Sequence, residues 1–203
     1  MKRPFEAIDV SREAIAKLEK FTELLLRWNA TVNLIARGDE PFLWERHIQD
    51  SLQLVPFVPP GATGGIDLGS GAGFPGLVLA LATRVPFDLI EADRRKAAFL
   101  SEAARVTGAP VRVHPVRIEA SDLPPTPLVT ARALATLRRL LALAAPLLTP
   151  DGICLFLKGA NADAELTHAE SEWQMHVDGI PSRTATGARI LRISSLRRAS
   201  RSD

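Results

Sequence analysis

One stretch limits the folds open to this chain more than any other: Gly64-Gly65-Ile66-Asp67-Leu68-Gly69-Ser70-Gly71-Ala72-Gly73-Phe74-Pro75-Gly76. Apolar residues around an acid lead into closely spaced glycines, and a run of Leu, Val and Ala follows. That is the pattern of a buried strand turning sharply into a helix over a nucleotide-like ligand. Side chains at the glycines would forbid the turn or keep the backbone from the ligand. The spacing Gly71-x-Gly73-x-x-Gly76 satisfies the dinucleotide fingerprint, so the glycines alone do not name the ligand.

Asp67 shifts the balance. Dinucleotide folds usually carry an apolar residue two positions before the first glycine, whereas D-x-G-x-G-x-G resembles the first motif of S-adenosylmethionine (SAM) methyltransferases. A carboxylate at the end of the first strand can hold the amino group of a methionine moiety, directly or through water. It would only repel a pyrophosphate at the helix start. A plain glycine-rich turn with a capping Asp is the structural alternative, and an NAD-dependent oxidoreductase the functional one.

The rest of the chain sets bounds. At 203 residues it suits one domain with an appendage, large enough to bury a core. No apolar run reaches membrane-span length without an arginine, and no apolar stretch of the signal-peptide kind follows Met1-Lys2-Arg3-Pro4. The single Cys154 cannot form an internal disulfide, which points to the cytoplasm. Of 25 basic residues, 20 are Arg, a side chain suited to bidentate phosphate and base-edge contacts. A skewed genomic base composition produces the same excess, so the charge permits a nucleic-acid partner without demanding one.

Periodicity then divides the chain. Ile15, Leu18, Phe21, Leu25 and Trp28 recur at helical spacing over 11–28, with Ser11 as cap. A connector runs from Asn29 to Arg37, and a second helix from Pro41 to Val55, with His47, Asp50 and Ser51 beside its apolar face. From Ile66 short apolar runs alternate with helical segments, as in a parallel α/β sheet. Strands are predicted at Gly65–Leu68, Phe87–Glu91, Val111–His114, Leu128–Arg132, Gly152–Lys158, and near Trp173–Val177 and Arg189–Ile193. Helices are predicted at Gly76–Thr83, Arg94–Thr107 and Ala135–Leu148. The expected fold is a Rossmann-like α/β domain, with a seven-stranded, mostly parallel sheet and helices on both faces. The expected division is an N-terminal helical extension over 1–60, a methyltransferase domain over 61–194 and a basic flexible tail over 195–203.

Candidate site residues follow from this frame. Glu91 ends strand 2, and 20 residues separate it from Gly71, where an acid can take both hydroxyls of a ribose. Asp93 is its local rival. Ile118 and Glu119 follow strand 3, where an apolar face and an acceptor suit an adenine ring. Arg132 closes strand 4, and an arginine at an apolar strand end is costly unless it meets an anion or acceptor. Lys158 at the end of strand 5 poses the same choice. Arg46, His47 and Asp50 either approach RNA or a target base, or lock the helical extension to the sheet. His47, His114, His168 and His176 lack metal-ligand spacing, so no metal is expected. No Asn-Pro-Pro-aromatic tetrapeptide is present, and Cys154 sits mid-strand, which disfavours amino-group and cysteine-nucleophile chemistry. Guanine N7 needs neither base nor nucleophile from the protein, only alignment.

These motifs together resemble the RsmG (GidB) family of small-subunit rRNA guanine-N7 methyltransferases. Trp28-Asn29 with Asn33-Leu34 is similar to its W-N…N-L connector, and Arg46-His47-Ile48-Gln49-Asp50-Ser51-Leu52 to its R-H-I-x-D-S-L helix. Asp67 to Gly76 is nearly its whole glycine motif. Ile90-Glu91, Arg95-Lys96, Phe99-Leu100, Thr130-Ala131-Arg132-Ala133 and Leu157-Lys158-Gly159 match further positions. The resemblance implies SAM binding through Gly69, Phe74, Ile118, Glu119 and Arg132, and methylation of a guanine in the 530 loop of 16S rRNA. Asp67, Gly71, Gly73 and Glu91 complete the expected cofactor set, with Arg132, Arg46 and His47 as candidates for positioning the target base. The partner is 16S rRNA or the small ribosomal subunit, with no membrane, and the protein is expected to be a monomer. A small-molecule methyltransferase and a non-catalytic rRNA-binding or assembly factor are the alternatives. Two positions depart from the family: Pro127 stands where it usually has Asp, and Ala131 where it has Ser.

Overall fold

A computed structural model describes residues 10–199. The seven strands form one sheet in the order β3-β2-β1-β4-β5-β7-β6. They are β1 (Gly65–Leu68), β2 (Phe87–Ile90), β3 (Val111–His114), β4 (Thr126–Arg132), β5 (Leu148–Lys158), β6 (Trp173–Pro181) and β7 (Arg189–Arg198). The first five pair in parallel, and β7 runs antiparallel to both β5 and β6. The chain reverses its winding between β1 and β4, which opens a crevice at their carboxyl ends. This is the Rossmann-like methyltransferase sheet that the sequence implied.

Alternation along the strands sorts side chains onto two faces. On β5, Ile153, Leu155 and Leu157 enter one core while Cys154 and Phe156 enter the other. The first core also takes α1 (Arg12–Asn29), the segments after it, α3 (Gly76–Thr83) and α4 (Arg94–Thr107). The second takes α5 (Leu137–Ala144) and α6 (Ala162–Glu170). The N-terminal helices therefore share a core with the sheet. Phe21 of α1 meets Phe74 edge-on at 5.7 Å between ring centres, and Trp28 meets Phe99 at the same distance. Asn29 at the end of α1 is buried, and its Oδ1 accepts from the Leu34 and Ile35 amides at 2.9 and 3.0 Å.

The second helix differs from the continuous one expected over Pro41–Val55. A 3-10 segment spans Arg37–Phe42, a π-helical segment Trp44–Gln49, and only α2 (Asp50–Leu52) is α-helical. The Arg46 carbonyl is engaged by the Arg132 guanidinium at 3.2 Å. Helix α6 lies in a stretch read as having no element, because only Ala162 and Ala169 of it are buried and no apolar stripe marks it. The basic tail is corrected as well: residues 195–198 belong to β7, where Arg197 and Arg198 pair with Gln174 and Trp173. Residues 200–203 of that tail and the Met1 to Pro4 start lie outside the described residues. Pro127 sits where the β4–β5 register shifts between Thr126 and Leu128, so its missing amide costs no ladder bond.

Gly76 shows how tightly α3 crosses β1. A Cβ there would lie 2.5 Å from Asp67 Cβ and 2.7 Å from a Leu89 methyl. Gly76→Ala is expected to lower unfolding free energy by about 1–3 kcal/mol through overpacking, read as an earlier urea midpoint with unchanged far-UV dichroism.

Candidate functional site

The crevice holds a cavity of about 590 Å³. Gly69 to Ala72 and Phe74 form one wall, Ile90, Glu91 and Lys96 another, and Val116–Glu119 a third. Arg132–Ala135 close it from the β4 side. Such a volume is in the range of about 300–1,000 Å³ usual for small-ligand sites. The loop conformation depends on glycine: φ is +62° at Gly69, +56° at Gly71 and +92° at Gly73.

The 20-residue spacing from Gly71 to Glu91 is realised as a direct contact. Glu91 Oε2 accepts from the Gly71 amide at 2.8 Å, and Oε1 from the Asp93 amide at 2.8 Å. One nearly buried carboxylate thus fixes the loop after β1 to the end of β2 while facing the cavity. Asp93 instead caps α4, accepting from the Arg95 and Lys96 amides. Ile118 and Glu119 lie on a 3-10 turn at the cavity edge. Glu119 is exposed and pairs with Arg139 at 3.1 Å.

Asp67 does not line the cavity. It is fully buried beneath the loop, with Oδ1 accepting from the Thr130 hydroxyl at 2.7 Å and Oδ2 without a hydrogen-bond partner among the described residues. Burial pushes its pKa up to about 6 against the opposing pull of Thr130. The expected direct grip on a ligand's amino group is therefore replaced by a tie between β1 and β4, which leaves only a route through water.

Arg132 is the most connected side chain of the site. Its guanidinium lies 4.8 Å above the Phe74 ring, contacts His47 Nδ1 at 2.8 Å and pairs with Asp50 at 3.3 Å. His47 stacks on Phe74 with ring centres 5.0 Å apart and planes at 18°. Desolvation, then the neighbouring Arg132 charge, push the His47 pKa down to about 4, so the ring is neutral at neutral pH. Arg46 points outward and pairs with Asp39, giving the cavity only its carbonyl contact with Arg132. The Arg46, His47 and Asp50 cluster is thus the polar lock between the helical extension and the sheet.

That lock extends to residues the sequence did not single out. Asp50 Oδ1 accepts from Thr184 Oγ1 at 2.5 Å and Gln53 Nε2 at 2.8 Å, while Gln53 Oε1 accepts from the Arg183 amide at 2.9 Å. The Lys158 side chain is only 8% exposed, pairs with Glu165 at 2.7 Å and donates to the Ala135 carbonyl at 2.9 Å. Glu165 also accepts from the Leu137 amide that opens α5. Nothing local marks Glu165, because its partners lie 7 to 28 positions away.

The family model described as "GidB: rRNA small subunit methyltransferase G" matches residues 14–188. The chain belongs to this family. The ribosomal RNA small subunit methyltransferase G of Acidiphilium cryptum is 57% identical over 193 residues, covering 94% of this chain and 89% of that one. Its counterpart in Gluconobacter oxydans is 54% identical over 189 residues, covering 93% and 97%. Among solved structures, an O-methyltransferase from Bacillus cereus in complex with SAH superposes with a TM-score of 0.58 at 14% identity. It covers 86% of this chain and 90% of that one, a likeness of fold.

In this GidB-family chain the largely buried His47 and the fully buried Asp67 give stability opposite dependences on pH. His47, depressed from 6.5 to about 4, contributes stability that is present above pH 6.5 and lost as pH falls through 4. Asp67, raised from 3.8 to about 6, contributes stability that is present below pH 3.8 and lost as pH rises through 6. Asp67→Asn removes the second trend. Urea titrations should show its unfolding free energy climbing more steeply than the parent's from pH 4 to 6.5. Parallel profiles would mean that Asp67 ionises as freely folded as unfolded.

Proposed function

We propose that this methyltransferase moves a methyl group from S-adenosylmethionine to N7 of a guanine in the 530 loop of 16S rRNA, acting as a cytoplasmic monomer. The observation that carries the cofactor assignment is the cavity between the glycine loop and Glu91, at the point where the sheet reverses its winding. Its lining suits the molecule. Glu91 supplies an acceptor for ribose hydroxyls, Ile118 and Leu143 an apolar surface for a purine, and Glu119 an acceptor for its exocyclic amine. Gly69 and Gly71 let the backbone approach at the cavity, where Phe74 also lines the wall, whereas Gly73, expected in the cofactor set, faces the core against Leu77, Leu100 and Phe21. Arg132 offers positive charge for the methionine carboxylate. Asp67 Oδ2, without a partner among the described residues, can serve its ammonium through a water.

When bound, the cofactor supplies a methyl on a sulfonium, an electrophile that leaves a neutral thioether. The acceptor N7 presents a lone pair and carries no proton, so the protein needs no general base. His47, neutral and held against Phe74, instead fixes Arg132. The work of the chain is alignment and the exclusion of water.

Labelled methyl transfer from SAM to unmodified small subunits, protein-free 16S rRNA and a small-molecule extract tests this reading. N7-methylguanine in either RNA sample is the expected result, and label only in the extract overturns it. Glu91→Ala is expected to weaken SAM binding at least tenfold, about 1.4 kcal/mol, by calorimetry. Unchanged affinity would remove Glu91 from the cofactor set.

A further inference from the structure

A second cavity of about 360 Å³ lies beside the first, at the carboxyl ends of β4 and β5. Asp50, Lys158, Glu165 and Ser182 line it, and Arg132 and Ala133 line both cavities. Resting on the methyl-transfer reading above, we propose that this second cavity receives the target guanine, turned out of the RNA, and that Glu165 reads its Watson–Crick edge.

Position is the first argument. Methyl transfer needs donor and acceptor on two sides of one short gap. Arg132 and Ala133 line both cavities, so the two adjoin at the end of β4. Ala133 holds φ +49°, a conformation costly for a residue with a Cβ and concentrated at functional sites. The segment after it is fixed at both ends by one ion pair, since Lys158 donates to the Ala135 carbonyl and Glu165 accepts from the Leu137 amide.

Chemistry is the second. Guanine carries donors at N1 and N2, whereas adenine presents an acceptor at N1, so a carboxylate discriminates between the two purines. Glu165 engages protein groups through Oε2 alone among the described residues, and it faces the cavity. Because N1 and N2 lie across the purine from N7, a grip on that edge leaves N7 free to face the junction of the two cavities. The ring becomes cationic as N7 gains the methyl and loses no proton, and the Asp50 carboxylate stands beside it. A base inside a folded RNA reaches such a depth only when splayed out of its stack.

Two exposed alanines on the wall, Ala160 and Ala185, provide the test. Ala160→Trp and Ala185→Trp place an indole in the second cavity without touching the first. Both are expected to bind SAM within twofold of the parent by calorimetry while losing at least 30-fold in kcat/KM on unmodified small subunits. Turnover at the parental rate overturns the proposal. Independently of activity, an RNA carrying 6-thioguanosine at the target position is expected to photocrosslink to residues 158–165 or 182–189. Absence of a crosslink to both segments overturns it too, including where a variant fails to fold. Failure of the parent protein to methylate either RNA sample defeats the functional reading instead, a separate outcome.

Discussion

The structure turns on a guanidinium placed where a charge is hard to keep. Arg132 ends a strand whose preceding residues Leu128 to Ala131 are fully buried, and its own side chain is only 18% exposed. Desolvation works against its charge, as its lowered pKa records. An arginine does not solve this by losing its proton, so the fold must bring partners to it. Asp50, the Arg46 carbonyl, His47 and the Phe74 ring supply them, and the first three come from one stretch of the N-terminal helices.

Meeting that need organises the site. The helical extension is drawn onto the carboxyl ends of the strands, where the cavities lie. Phe74 meets both Phe21 of α1 and His47 of the segment after it, so the helical extension holds the glycine loop through two rings. Asp50 and Gln53 continue the same network into the β6–β7 connection through Thr184 and Arg183. Removing one partner of so buried a pair leaves the other charge unmatched, which costs more than forming the pair gains. Loop, extension and sheet edge are therefore coupled through contiguous contacts.

A similar economy governs the opposite side of the glycine loop. Asp67 and Glu91 are both acids near the ends of adjacent strands, and the sequence offers both for the cofactor. Asp67 goes under the loop to Thr130 because α3 crosses β1 directly above it at Gly76. Glu91 stays at the cavity because the chain beyond β2 opens outward, and its oxygens reach the Gly71 and Asp93 amides.

By itself the sequence determined the elements whose causes are local. Period-two and helical apolar patterns, the glycines and the caps placed all seven strands and the helices α1, α3, α4 and α5, with β4, β5, β6 and β7 longer than their expected spans. The motif spacing also determined the family and the candidate positions Gly71, Glu91, Ile118, Glu119 and Arg132. Tertiary structure decided the rest. Whether an acid faces ligand or core depends on which helix crosses it, as at Asp67. Whether His47 and Asp50 face RNA or protein depends on Arg132, more than 80 residues away. The weakly patterned α6 and the Glu165–Lys158 pair exist only once β5, α5 and α6 are assembled, because a polar residue's role is set by partners that sequence distance hides.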